Sequence, residues 1–157
     1  MKLDFKLAAT DDAGLLVDLY NASFFSDYQR FGTCPGYGKT FEMMEESIRL
    51  YPKHIILYDN RPVGCISCHS NAPQEYEIGC LCVIPEYQGK GIGTQAIQFV
   101  RNYYDDWKRL SLVICFIDCL LMKLEFVYSS DERFSSSYCS SVVILPSSIM
   151  AFSYSFS

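Results

Sequence analysis

A chain of 157 residues that is 50% hydrophobic and 20% charged is the size of one globular domain, and it is too apolar to be disordered. Its formal net charge of −5 excludes a protein that depends on phosphate contacts with nucleic acid, because such a protein carries a basic face. The start, MKLDFKLAATDD, has no unbroken apolar stretch of the secretory kind, and the most apolar run, LSLVICFIDCLLM at 110–122, is too short for a span and holds Asp118. The expectation is a soluble, cytoplasmic protein with no membrane segment.

In chain order, LDFKLA reads as a first strand, ending at a turn where Thr10 is placed to cap a helix carrying Asp11 and Asp12 in its first turn. Leu15, Leu16, Leu19 and Tyr20 then recur at helical spacing. A Gly- and Pro-rich loop at 32–38 follows, and Met44, Ile48 and Tyr51 mark a second amphipathic helix stopped by Pro52. HIILY and VGCISCHS are strands joined through DNRP, whose Asp-Asn pair suits a tight turn.

EYEIGCLCVI is a third strand of this group. Strict alternation puts Tyr76, Ile78, Cys80, Cys82 and Ile84 on one face and Leu81 and Val83 on the other, so the strand is covered on both sides. Beyond PEYQGKGIG, the residues Ile92, Ala96, Ile97, Val100 and Tyr104 form a helical stripe, and RLSLVIC is one more strand. The order β-α-α-β-β-β-α-β predicts an α/β fold with a mixed central sheet flanked by helices.

Eight cysteines without a secretory signal read as small buried apolar residues of a reducing compartment. CISC and CLC raise the question of zinc. Cys65 and Cys68, three apart in a strand, point to opposite faces, and neither pair carries the glycine that a knuckle turn needs. Cys80 and Cys82 are poor nucleophile candidates, since nothing nearby in sequence marks a lowered pKa.

Two glycine loops compete as phosphate sites. In GTCPGYGKT a Walker loop would need its first glycine at Thr33, where there is none, and a helical rather than a strand pattern precedes it. QGKGIG follows a buried strand and opens a helix. There the first amides lack intrahelical partners and the dipole favours an anion, while Gly89, Gly91 and Gly93 let a diphosphate approach the backbone and Lys90 adds charge.

EIGCLCVIPEYQGKGIGTQAIQFV resembles motif A of the GNAT superfamily of N-acetyltransferases. The signature Gln/Arg-x-x-Gly-x-Gly/Ala is met by Gln88, Gly91 and Gly93, and the element order from Leu3 to about Val113 agrees. The resemblance implies an acyl-CoA N-acyltransferase fold and an enzyme that transfers the acetyl group of acetyl-CoA to a primary amine of a small molecule, peptide or protein. It implies that Gln88, Gly89, Lys90, Gly91, Ile92 and Gly93 hold the pyrophosphate. Leu81, Cys82 and Val83 would pair with the pantetheine arm in the manner of an added strand. It further implies that RLSLV splays away from LCVI.

Direct attack by a neutral amine needs a proton acceptor. Glu77 is the candidate, with Glu75 in reserve, and amides near Leu81 would polarise the thioester carbonyl.

The family's later tyrosine, in an Asn…Phe-Tyr…Gly-Phe context, has no counterpart: neither Tyr128 nor Tyr138 lies in such a segment. No glycine follows Gly93, and from Ile114 the text is Ser-rich with apolar residues out of any period. The chain therefore divides into a GNAT-like core at 1–113 and an atypical tail at 114–157, foreign to the domain, such as an altered frame or a retained intron would leave. Loss of the completing strands would leave a central strand with an unpaired edge. The alternative to an active enzyme is a catalytically impaired variant that binds CoA without turnover.

Overall fold

The computed structural model describes residues 2–115 and 123–129. Its strands are β1 (Leu3–Leu7), β2 (Lys53–Tyr58), β3 (Arg61–Ala72), β4 (Glu75–Val83), β5 (Arg109–Cys115) and β6 (Lys123–Ser129); its helices are α1 (Ala13–Phe31), α2 (Phe41–Leu50) and α3 (Ile92–Tyr103). They form one six-stranded sheet in the order β1-β2-β3-β4-β5-β6. Every neighbouring pair is antiparallel except β4 and β5, which are parallel and joined through α3. The predicted mixed α/β architecture and element order are the ones observed.

Local chemistry accounts for most element boundaries. Asp59 and Asn60 turn β2 into β3 with φ of 46° and 65°, the left-handed pair that a tight hairpin requires and that Asp and Asn tolerate. The Thr40 hydroxyl caps α2 by accepting the Met43 amide at 3.2 Å. Thr10 does not play that part for α1. It opens a short 3-10 turn (Thr10–Asp12) instead, and the Asp12 carboxylate accepts the Ala9 amide at 2.9 Å while pairing with the Lys6 ammonium at 2.8 Å. An acidic side chain that satisfies a backbone donor and a lysine together displaces the weaker hydroxyl cap.

Two apolar clusters sit on opposite faces of the sheet. One joins α3, through Ile92, Ala96, Ile97 and Val100, to Ile56, Val63, Ile66, Cys68, Ile78, Leu81, Val83, Leu110 and Leu112. The other joins α1 and α2, through Leu16, Leu19, Tyr20, Phe24 and Met44, to Ile55, Cys65 and Cys82. The helices thus cover both faces, and each fully buried Ile, Leu or Val contributes about 1.5–3 kcal/mol relative to exposure.

Strict alternation fails in β4. Ile78 shares a cluster with Leu81 and Val83, whereas Cys82 lies in the other cluster with Cys80 packed against it. The cause is a bulge. Cys80 lies opposite Ser67 and Ile78 opposite Cys68, so Gly79 is an extra residue that flips the phase. Cys80 and Cys82 therefore share a face with Glu77, not with Ile78.

β6 falls within the segment from Ile114 expected to lack a period, and it corrects that reading, since KLEFVYS places Leu124, Phe126 and Tyr128 at strand spacing. It pairs along all of β5, from Arg109–Ser129 to Cys115–Lys123, so β5 is not left with the open edge expected of it. Residues 116–122 and 130–157 of the tail, Tyr138 among them, lie outside the described residues.

α3 begins at Ile92 with Gly91 as its N-cap at φ 74°, and Gly89 is similarly left-handed at φ 71°. A side chain at either position is strained even though the space is open. Gly91→Ala is expected to cost about 1–2 kcal/mol in urea unfolding. Gly14→Ala, in open space within α1 and at an ordinary helical φ, is expected to stabilise by about 0.4–1 kcal/mol.

His54 is buried between the rings of Phe99 and Tyr103, at 5.0 and 4.8 Å, and its Nε2 has no hydrogen-bond partner among the described residues. Burial holds its pKa below the ordinary 6.5. The unfolded chain therefore takes up a proton below about pH 6.5 that the folded chain resists, and this stability is lost as pH falls. Thermal unfolding at pH 5 should come several degrees below that at pH 7.5, and His54→Phe should flatten the difference. An unchanged slope in the variant would contradict the assignment.

Candidate functional site

β4 and β5 pair only from Glu75–Arg109 to Ile78–Leu112, yet β4 runs on to Val83 and β5 to Cys115. Beyond Ile78 the two strands part, as the sequence resemblance implied for RLSLV and LCVI. The Ile84 amide donates to the Val63 carbonyl on β3 at 2.8 Å, so by alternation the backbone groups of Leu81 and Val83 face away from β3 and into the parting. The Val83 carbonyl is met there by the Gln88 side-chain amide at 2.8 Å. The backbone of Cys82 faces β3, and its side chain is buried on the α1–α2 face.

β4 leaves the sheet through a 3-10 turn at Pro85–Tyr87, and the chain enters α3 through Gln88, Gly89, Lys90 and Gly91. The Gln88 amide is already bonded to the Pro85 carbonyl at 3.2 Å and its side chain to Val83, so this residue braces the end of β4. The Ile92 amide, first in α3, has no carbonyl one turn back inside the helix, and the positive end of the helix dipole opens at the top of the parting. Gly93 is buried against the sheet side of the helix. Lys90 reaches back over the rings of Tyr87 and Tyr58, at 4.6 and 5.8 Å, which fixes its ammonium beside the loop. No pattern in the sequence announces this aromatic seat.

Glu77 lies one residue before the parting. It is half-buried, sits opposite His69 on β3 and Ser111 on β5, and accepts a hydrogen bond from the Asn71 side-chain amide at 2.9 Å. Glu75 is two residues further from the parting and faces Arg109 at 3.8 Å with both side chains nearly half exposed, an arrangement worth little energetically. His69 packs beside Gly79 and against the Tyr51 ring at 5.1 Å, and its Nδ1 is buried with no partner among the described residues. Sequence reasoning passed over His69 and Asn71 as site residues and read Tyr51 only as the end of a helix; the β3–β4 hairpin brings His69 and Asn71 to Glu77, and Tyr51 at the end of α2 packs on His69.

The thiols on the same face depart from expectation. The hydrogen bond from the Cys82 thiol, aided by the Tyr20 hydroxyl and the charges of Lys53 and Lys39, brings Cys80 down to about 7 although burial opposes it. The absence of any feature lowering its pKa, inferred from neighbours in sequence, is thus corrected. The chief group, Cys82, is two residues along the same strand, while the supporting ones come from α1, β2 and the 32–40 loop, which only folding assembles. Burial pushes Cys65 upward, while Cys82 is raised first by its bond to Cys80 and then by burial. Cys68 faces the other cluster, and burial takes it to about 12.

The second glycine loop is a structural turn. Gly32 ends α1 in the left-handed conformation, the Gly38 amide donates to the Asn21 side chain at 2.9 Å, and Tyr37 stacks on Tyr28 at 4.5 Å. It follows a helix and not a buried strand, contrary to what a Walker loop requires.

The Acetyltransferase (GNAT) family model matches residues 16–118. No curated protein matches the sequence significantly. Among solved structures, an acetyltransferase from Thermus thermophilus is similar with a TM-score of 0.62 at 20% identity, covering 73% of this chain and 77% of that one. The PaiA N-acetyltransferase from Thermoplasma acidophilum, solved in complex with coenzyme A, gives 0.58 at 15% identity, covering 73% and 80%. An acetyltransferase from Salmonella typhimurium, described as modifying the N-terminal serine of ribosomal protein L7/L12, gives 0.57 at 17% identity, covering 71% and 70%. At such identities these structures share a fold with the chain. The family match spans more than half of the sequence and includes the parted strands and the α3 start, so the chain belongs to the GNAT acetyltransferase family, whose members use acetyl-CoA as cosubstrate.

Proposed function

We propose that this chain is an acetyl-CoA-dependent N-acetyltransferase, cytoplasmic in location, that acts on a primary amine of a small molecule or of a peptide or protein terminus. The observation that carries the reading is the parting of β4 from β5 beyond Ile78, with an anion-favouring helix start at its head. Both halves fit the cosubstrate's chemistry. The outward amides of Leu81 and Val83 and the Leu81 carbonyl offer a strand edge to the pantetheine, and Cys82 between them keeps the strand seated on β3. The backbone of Gly89, Lys90, Gly91, Ile92 and Gly93 holds the pyrophosphate, and Gln88 fixes the end of β4 through Val83.

Glu77 is the proton acceptor in this reading. The ammonium form of an amine has no lone pair, so a carboxylate next to the parting removes one proton, directly or through a water. Attack by the freed lone pair on the thioester carbon drives negative charge onto its oxygen, which the Leu81 amide is oriented to meet. The bond from carbon to sulfur then breaks, the nitrogen gives up its second proton to solvent, and the departing thiolate takes one up. Glu75, two residues further from the parting and beside Arg109, is the weaker candidate.

A second reading has one specific observation in its favour. The family match ends at residue 118, and the later Phe-Tyr segment of the family is absent from the sequence. This supports a core at 1–113 followed by a tail foreign to it, in a variant that binds CoA with impaired turnover. Calorimetric titration with acetyl-CoA, run beside an assay of CoA release with a panel of amines, separates the two. Binding with turnover is expected, and binding alone identifies the impaired variant. Glu77→Gln is expected to lower kcat about 100-fold or more while leaving the acetyl-CoA Kd within about twofold. Unchanged kcat would remove Glu77 from the chemistry.

A further inference from the structure

Cys80 occupies a built environment that acetyl transfer does not explain. It follows the Gly79 bulge directly, is only half-buried, packs against the cluster that holds Tyr20, Cys65 and Cys82, and lies in one row across the sheet with Ser67 on β3 and Lys53 on β2. Lys53, on β2, is only 4% exposed, and among the described residues no carboxylate lies within ion-pair distance of it. The groups acting on its ammonium are Cys65, Cys80 and Cys82, with Lys39 opposing, while burial holds it below its ordinary value. A buried cation without a carboxylate is costly unless some other anion offsets it. Of the three thiols around it, Cys65 and Cys82 are fully buried and pushed upward, which leaves Cys80 as the accessible counter-charge. The thiolate form of Cys80 and the ammonium form of Lys53 stabilise one another across the face that α1 covers.

We propose that Cys80 is a nucleophilic thiol held by Lys53 and Tyr20, and that it is a site of reversible S-thiolation by low-molecular-weight disulfides. In the exchange the Cys80 sulfur attacks one sulfur of the disulfide. The reagent's S–S bond breaks, a new S–S bond to Cys80 forms, and the other half leaves as a thiolate that takes its proton from solvent. Cys80 is oxidised and that departing half reduced, and a thiol reductant reverses both. Cys34 serves as the internal comparison. It too is half-buried, but burial raises it and no lysine acts on it among the chief influences. The modification stands apart from acetyl transfer. On the function proposed above, an adduct next to Gly79 sits where β4 and β5 part and obstructs the reaction until it is reduced.

The full chain, reduced and then freed of reductant, is incubated at pH 7 with glutathione disulfide and, in parallel, with the smaller 2-hydroxyethyl disulfide. Adducts are located by peptide mass spectrometry over time. The thiolate fraction of Cys80 exceeds that of an ordinary thiol at this pH, and its lower intrinsic nucleophilicity offsets part of the gain. Its adduct is expected about fivefold or more faster than that at Cys34 with at least one reagent. Lys53→Met and Tyr20→Phe should each slow it several-fold while circular dichroism stays native. If Lys53→Met fails to fold, Tyr20→Phe carries the comparison alone. A Cys80 that stays unmodified with both reagents, or that reacts at the same rate in the folded variants, overturns the proposal.

Discussion

The structure turns on one local mismatch: a parallel strand pair that stops pairing halfway. β4 and β5 share four residue pairs and then separate, although both strands continue. Backbone groups in a sheet interior are obliged to find partners, so an opening of this kind in a central strand is stable only where water or a ligand supplies them. The rest of the molecule keeps the opening from closing. On its far side β4 is held along its length by β3, from Ala72–Glu75 to Gly64–Val83, and β5 is held by β6. Cores on both faces pin the helices, so neither strand can drift toward the other without disturbing packed side chains.

The Gly79 bulge is the second consequence-bearing feature. One extra residue sends Leu81 and Val83 to the α3 face, together with Ile78, and turns Cys80 and Cys82 toward α1. The same shift leaves Glu77, His69 and Cys80 on the α1–α2 side of the sheet, beside the bare backbone of Gly79. Polar and reactive groups thereby collect at the one place where the sheet is open, and the apolar residues that hold α3 stay behind it.

Much of this was legible in the sequence, for identifiable reasons. The stripe Ile92, Ala96, Ile97 and Val100 has a clear helical period, and the Asp59-Asn60 turn has its own chemistry, so both are found where expected. The resemblance of QGKGIG to motif A was specific because strand, loop and helix agreed, and the family match covers the same segment. What failed were features that depend on residues distant in sequence. A bulge leaves no mark on strand periodicity beyond a glycine, and Gly79 alone could not announce one. The low pKa of Cys80 owes most to Cys82, two residues along the strand, and is aided by Tyr20, Lys53 and Lys39, which lie 60, 27 and 41 positions upstream. The Thr10 cap lost to Asp12 because Lys6 sits across the turn. β6 was missed for a different reason: KLEFVYS does alternate, with Leu124, Phe126 and Tyr128 two apart, but it is one short run inside a Ser-rich segment without period.

The central claim is that the parted edge of β4 and the start of α3 together receive acetyl-CoA. Amide hydrogen exchange with and without acetyl-CoA measures it most directly. The account predicts slowed exchange at Leu81 and Val83 and across residues 89–93, with the β2–β3 ladder unchanged. Binding that leaves those amides exchanging freely, or that protects the 32–40 loop in their place, would contradict it.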